Sequence, residues 1–246
     1  MKILISGARG RMGRGIERKK GENEIVCGIC RTFFDAKFPL YESFENIEED
    51  FDIIIDFSVA ENVEKVLEFT ERCKKPLIMG TTGLSERDEN RMKELSKVVP
   101  ILYSHNTSLG VNRFLQILEN AAAILKDEYD IEIIEKHDRG KKDAPSGTAG
   151  MVLQAIEDGS KINRSVVNGR KGVCPRADGE IGVHSIRGGN LGSEHYVSFI
   201  TEDETIEINH YSPNYDIYCS GAVKAGEVLV KLAPGLYSMR DIIERM

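Results

Sequence analysis

The sequence predicts an α/β fold: an N-terminal doubly wound parallel sheet, then an α+β domain built on a mixed sheet. Three observations predict it. Short apolar runs alternate with helical segments through the first hundred or so residues. A glycine triplet follows the first of these runs. Beyond about residue 107 the alternation gives way to strand-like segments separated by turn residues.

"KILISG" is an apolar run ending in glycine, as expected of a strand buried on both faces of a parallel sheet. "ARGRMGRGIERKK" opens a helix, and "EIVCGIC" and "FDIIIDFS" are further strands, the latter followed by the helical "AENVEKVLEFTERC". "KPLIMGTTG" is a strand with a glycine-flanked turn, "SERDENRMKELSKV" a helix, and "VPILYSHNTS" a strand and loop. Strands alternating with helices imply right-handed crossovers. After the helix "GVNRFLQILENAAAILKD", the alternation in "YDIEIIEKH" marks a strand with one buried face. "EIGVHSIRGG", "SEHYVSFIT" and "ETIEINHYS" are the later strands. The helix "SGAVKAGEVLVKLA" and the terminal "GLYSMRDIIERM" are expected to return to the first domain. The expected division is therefore 1–107 completed by 214–246, with 108–213 as the second domain.

The 246 residues are 41% hydrophobic and 30% charged, ordinary values for a globular chain with a buried core. A net charge of −7 and the lack of a long basic stripe argue against nucleic acid as a partner. No apolar run approaches membrane-helix length, and "MKILISGARG" shows no signal-peptide cleavage pattern, so a cytoplasmic location is expected. Five scattered cysteines make no disulfide framework. Cys27 and Cys30 match the redox C-x-x-C spacing, but a strand places them on opposite faces, whereas redox pairs sit at a helix start. They are expected to be small buried side chains. His184, His195 and His210 lie on strand segments without a ligand cluster and are expected to be structural; no metal is expected.

Gly7, Gly10 and Gly13 in "GARGRMG" form a G-x-x-G-x-x-G turn between the first strand and its helix. Such a turn lets backbone N–H groups approach a pyrophosphate at the positive end of the helix. The second strand ends in Arg31, with no acid before Asp35; a cation there suits the extra phosphate of NADP, so NADPH is expected over NADH. In "EKHDRGKKDAPSGTAG", Pro145 precedes a helix begun by Ser146, Gly147 and Thr148, whose backbone N–H groups and hydroxyls form an anion site. Arg139 and Lys141 add positive charge, and His137 at the strand end is placed to donate a proton near neutral pH. A capped helix behind a solvated basic loop has the same composition, and composition does not separate the two. Glu132 and Glu135, three apart on a strand, face opposite ways and make a poor acid/base pair. Arg187 is compatible with the pocket or with a subunit interface.

"GARGRMG", "DFS", "GTTG", "NTSLGVN", "EIIEKHDRGKKDAPSGTA", "RGGNLGSEH" and "SGAVKA" together resemble the dihydrodipicolinate reductases, also called 4-hydroxy-tetrahydrodipicolinate reductases. The matches occur in order, from residue 3 to about 241. The resemblance implies a Rossmann domain, a C-terminal domain for substrate and assembly, a homotetramer, and a place in lysine and diaminopimelate biosynthesis. It implies hydride transfer from a nicotinamide cofactor to a small cyclic dicarboxylate, with loss of water; closure of the two domains is expected to exclude water and bring the ring to the nicotinamide. By the same resemblance His137 is the proton donor, Lys141 the cationic partner of the substrate, and Ser146, Gly147 and Thr148 hold a carboxylate. Gly7, Ala8, Arg9, Gly10, Arg11 and Met12 would hold the pyrophosphate. Gly80, Thr81, Thr82, Ser104, His105, Asn106 and Thr107 would line the nicotinamide site, with no chemistry assigned to His105.

Three positions depart from the family pattern. Asp138 stands where a second, substrate-contacting histidine is common, Tyr215 where a substrate-binding arginine is frequent, and Thr107 where phenylalanine often follows the asparagine. An acid beside a dicarboxylate repels it unless Asp138 points away, pairs with Arg139 or Lys141, or is protonated. A paralogous oxidoreductase acting on another imine or oxo acid, and a non-catalytic nucleotide sensor, are the alternatives. His137, Lys141 and the complete D-A-P-S-G-T turn count against the sensor.

Overall fold

A computed structural model describes residues 1–246. In chain order the elements are β1 (Lys2–Ser6), α1 (Arg11–Lys19), β2 (Glu24–Ile29), β3 (Leu40–Tyr41), β4 (Ile53–Asp56), α2 (Val63–Cys73), β5 (Leu77–Met79), α3 (Glu86–Leu95) and β6 (Pro100–Tyr103). There follow α4 (Leu109–Leu125), β7 (Asp130–His137), α5 (Gly147–Ser160), β8 (Val166–Asn168), β9 (Ile181–Arg187), β10 (Ser193–Ile200) and β11 (Thr205–Ser212). The chain ends in α6 (Asp216–Leu229), β12 (Gly235–Tyr237) and α7 (Met239–Ile243). Two compact units result: Met1–Leu109 with Asp216–Met246, and Gly110–Tyr215.

In the first unit seven strands form one sheet in the order β12-β6-β5-β4-β1-β2-β3, with every pair parallel. The strand period of two divides its apolar residues between two cores. Ile3, Ile5, Ile53 and Ile55 pack with Ile16 of α1 and with Ala222, Val223 and Leu229 of α6. Leu4, Ile54, Leu77 and Met79 pack with Val66 and Leu67 of α2 and Met92 and Leu95 of α3. Each such fully buried aliphatic side chain contributes about 1.5–3 kcal/mol relative to exposure. Helices on both faces make the sheet doubly wound, and the strand order reverses between β1 and β4, which is where such sheets bind ligands. The terminal segment "GLYSMRDIIERM" supplies β12, which pairs with β6, and α7, begun by a Ser238–Asp241 capping box.

The second unit has a five-stranded sheet in the order β11-β10-β7-β9-β8. It is mixed: β9 runs parallel to β7 and β8, whereas β10 is antiparallel to β7 and β11. Ile131, Ile133, Val183, Val197 and Phe199 meet Phe114, Leu118 and Ala122 of α4 and Val152 and Ile156 of α5. Glu132 belongs to the opposite face of β7, where it pairs with Arg170, Arg176 and His184. Cys27 and Cys30 are free buried thiols, and burial pushes Cys27 up to about 12, the reverse of an activated redox thiolate. No helix is long and apolar enough to cross a membrane.

Candidate active site

The face of β7 that carries Ile131 and Ile133 into the core continues with Glu135 and His137, both buried. A buried carboxylate needs compensating partners. The parallel register with β9 sets Glu135 opposite Ser185 and His137 opposite Arg187. From there the Arg187 guanidinium grips Glu135 with both nitrogens, Nη1 at 2.8 Å from Oε2 and Nη2 at 2.7 Å from Oε1. The backbone N–H of Ser146 also donates to Oε1, at 3.3 Å. Burial would raise the Glu135 carboxyl, but hydrogen bonds from Arg187, Ser185 and His137 outweigh it and hold it at about 2.

Glu135 is therefore an anion that only accepts hydrogen bonds, so His137, whose Nδ1 lies 2.5 Å from Oε2, must carry a hydrogen on Nδ1. Its Nε2 lies 3.2 Å from Ser193 Oγ. Burial holds the His137 pKa below its ordinary value; Glu135 opposes that, while Lys141 and Arg187 add to it.

Ser146 caps α5, its Oγ accepting the Ala149 N–H at 3.1 Å. The first turn of α5 contains no acid, and a Cβ at Gly147 would meet nothing within 4 Å, so there is room for a ligand at the helix start. Thr148 is buried there while Gly147 is exposed. His195 of β10 is fully buried, with Nε2 3.2 Å from Ser146 Oγ and its ring edge-on to His137 at 5.4 Å. Burial, with the neighbouring His137 charge, pushes it down to about 4. Lys141 reaches Asp143 at 2.9 Å, and Arg139 and Lys142 are exposed. Asp138 points into its own turn: Oδ1 accepts the Gly140 N–H at 2.7 Å and Oδ2 the Tyr215 hydroxyl at 3.5 Å. Two of the departures from the family pattern thus meet each other.

In the first unit a cleft of about 790 Å³ lies at the C-terminal ends of β1, β2 and β4, the switch point of the sheet. Gly7, Arg9, Gly10 and Arg31 line it, together with Glu42, Glu61 and Lys65, which no sequence motif singles out. Gly7 has φ +83°, and a Cβ there would run into the Phe57 carbonyl, so the turn requires glycine. Gly10 is the N-cap of α1, whose first turn, begun by Arg11 and Met12, carries no acid. This cradle fits a dinucleotide: a pyrophosphate at the helix start, with Arg9, Arg31 and Lys65 supplying cations.

The other expected cofactor residues are not in the cleft wall. Ala8 is buried, and Met12 packs on the core. Gly80 donates its N–H to the Asp56 carbonyl, and Thr81 Oγ1 donates to the buried Asp56 carboxylate at 2.6 Å while accepting the Ser58 N–H at 2.9 Å. Thr82 is exposed. The Ser104 hydroxyl bonds to the Asn106 carbonyl, His105 Nε2 meets the Tyr103 hydroxyl at 2.7 Å, and buried Thr107 donates to the Tyr218 carbonyl. Asn106 holds the turn through a 3.0 Å bond from the Ser108 N–H to its Oδ1.

Glu135 had a legible signal that the pairing with Glu132 obscured: it lies two residues before His137 on one strand, hence on the same face. Ser193 and His195 reach the site only through the pairing of β10 with β7.

The family description "Dihydrodipicolinate reductase, N-terminus" matches residues 1–107, and "Dihydrodipicolinate reductase, C-terminus" matches residues 110–243. A 4-hydroxy-tetrahydrodipicolinate reductase of Caldanaerobacter subterraneus subsp. tengcongensis is 37% identical, with 100% of this chain and 99% of that protein covered. One from Clostridium botulinum is 38% identical, with 99% and 98% covered. The solved structure of a dipicolinate-bound dihydrodipicolinate reductase from Paenisporosarcina sp. TG-14 superposes with a TM-score of 0.81 at 22% identity, over 97% of each chain. Matched from residue 1 to 243, save residues 108–109, by the two halves of one family, the chain belongs to the dihydrodipicolinate reductases, which are NAD(P)H-dependent oxidoreductases.

Proposed function

We propose that this protein reduces 4-hydroxy-tetrahydrodipicolinate to tetrahydrodipicolinate, in lysine and diaminopimelate biosynthesis, consuming NAD(P)H and a proton and releasing NAD(P)⁺ and water. One observation carries the reading. A buried anionic Glu135 holds His137 with its Nδ1 hydrogen fixed and, through the Ser146 N–H, anchors an acid-free helix start beside it. A proton donor next to a carboxylate site is what reduction of a cyclic dicarboxylate requires.

Gly7, Gly10 and the start of α1 hold the pyrophosphate, and Arg31, with Arg9 and Lys65 in the same cleft, holds the extra phosphate of NADPH, which is the preferred cofactor. The bound nicotinamide supplies the hydride. The helix start at Ser146, Gly147 and Thr148 takes one substrate carboxylate on its backbone N–H groups. Lys141 adds the countercharge, and His137, with Nδ1–H held by Glu135, takes up a proton from solvent on Nε2 and delivers it to the substrate. The Gly140 N–H and the Tyr215 hydroxyl hold Asp138 in its own turn, away from the incoming dicarboxylate. The first unit is the cofactor domain and the second the substrate and assembly domain of a homotetramer.

The test is nicotinamide oxidation on substrate made freshly by a dihydrodipicolinate synthase from pyruvate and aspartate semialdehyde. Rapid turnover is the expected result. Tight cofactor binding without turnover would transfer the assignment to a paralogous reductase of another imine or oxo acid.

A further inference from the structure

The geometry points to Glu135, locked by Arg187, as the positioning residue that decides which nitrogen of His137 delivers the proton and keeps that imidazole in register with the carboxylate-binding turn. The inference rests on the reaction proposed above, in which His137 is the donor.

Three features carry it. Glu135 is fully buried, yet both its oxygens are engaged: Oε2 by His137 Nδ1 and Arg187, Oε1 by Arg187 and the Ser146 N–H. Because that carboxylate only accepts, the imidazole is held as the Nδ1–H form, which leaves Nε2 to take up and release the transferred proton. The same carboxylate touches the first residue of the anion turn, so one rigid group sets the spacing between donor and substrate carboxylate. Arg187 is itself fixed by donating to the Asp143 carbonyl at 2.7 Å, in the loop that leads to Ser146.

The ionisable groups facing His137 are Glu135 on its own strand, Arg187 on β9, His195 on β10 and Lys141 on the following loop. Glu135 favours the imidazolium, and Lys141 and Arg187 disfavour it. Neutralising Glu135 therefore leaves His137 between cations, and its titration midpoint moves to lower pH.

The test compares wild type with Glu135→Gln, labelled with ¹⁵N at its five histidines; the His137 signals are identified by their loss in His137→Gln. The wild-type ring is expected as the Nδ1–H tautomer at neutral pH. In Glu135→Gln the two tautomers mix and the midpoint falls by about one pH unit or more. With NADPH and the synthase-derived substrate, kcat is expected to fall about 100-fold. The NADPH Kd is expected to stay within about threefold, since Glu135 touches no cofactor residue.

A kcat loss with unchanged tautomer and midpoint would make Glu135 a merely structural residue and overturn the inference, as would an unchanged kcat and pH profile. If wild type does not turn over, the proposed reaction fails, and the ring nitrogens still decide the positioning role. Should Glu135→Gln unfold because Arg187 is left without its carboxylate, Glu135→Gln with Arg187→Met removes both charges, and the same tautomer mixing is expected.

Discussion

Lowering the pH should weaken this protein through His195 before most of its carboxylates are protonated. The ring is fully buried between His137 and His210, at centroid distances of 5.4 and 6.5 Å, and its Nδ1 has no hydrogen-bond partner. Burial pushes its pKa from 6.5 to about 4. The unfolded ring thus binds a proton that the folded ring refuses, so stability from this group is complete above pH 6.5 and is lost as the pH falls from 6.5 to about 4. Two and a half pH units at about 1.36 kcal/mol each correspond to a loss of about 3 kcal/mol across that window. The perturbation is His195→Phe, which keeps an aromatic ring in the site and cannot titrate. Urea unfolding at several pH values between 7 and 4 provides the assay, with free energies compared at constant m. Wild type should lose about 3 kcal/mol more than the variant, whatever the offset between them at pH 7. Parallel curves would refute the reasoning, because they would mean that the buried ring accepts its proton without cost.

Three other outcomes are expected. His137→Gln and Lys141→Ala should each lower kcat about 100-fold or more and leave cofactor affinity nearly unchanged, as steady-state kinetics and NADPH titration would show. Arg31→Ala should reduce kcat/KM with NADPH about tenfold and leave NADH alone, because in the proposed reading the exposed guanidinium would make a charge-assisted contact to the extra phosphate that solvent partly screens; equal losses with both cofactors would remove Arg31 from the phosphate site. Gly7→Ala should cost about 2 kcal/mol or more in thermal or urea unfolding and weaken cofactor binding, since φ is +83° and the new methyl meets the Phe57 carbonyl.

The sequence by itself determined what depends on neighbouring residues. The short continuous apolar runs produced the strands buried on both faces, and amphipathic segments between them required helices on both faces of the first sheet. The glycine turn and the D-A-P-S-G-T helix start were legible because cap and turn chemistry is local. The opposite facing of Glu132 and Glu135 was legible too, and so was the shared face of Glu135 and His137, which differ by two positions on one strand.

Only the tertiary structure decided which charges meet. Arg187 lies 52 positions beyond Glu135, and nothing in its surroundings distinguishes a site residue from an interface residue until β9 pairs with β7 in the observed register. His195 reaches Ser146 from 49 positions away, and Tyr215 reaches Asp138 from 77. A strand's own pattern fixes which face is apolar, but the choice and register of its neighbours depend on the packing of the whole sheet against its helices. That packing places one buried carboxylate where an arginine, a histidine and a helix start converge, a convergence that no single stretch of the sequence specifies.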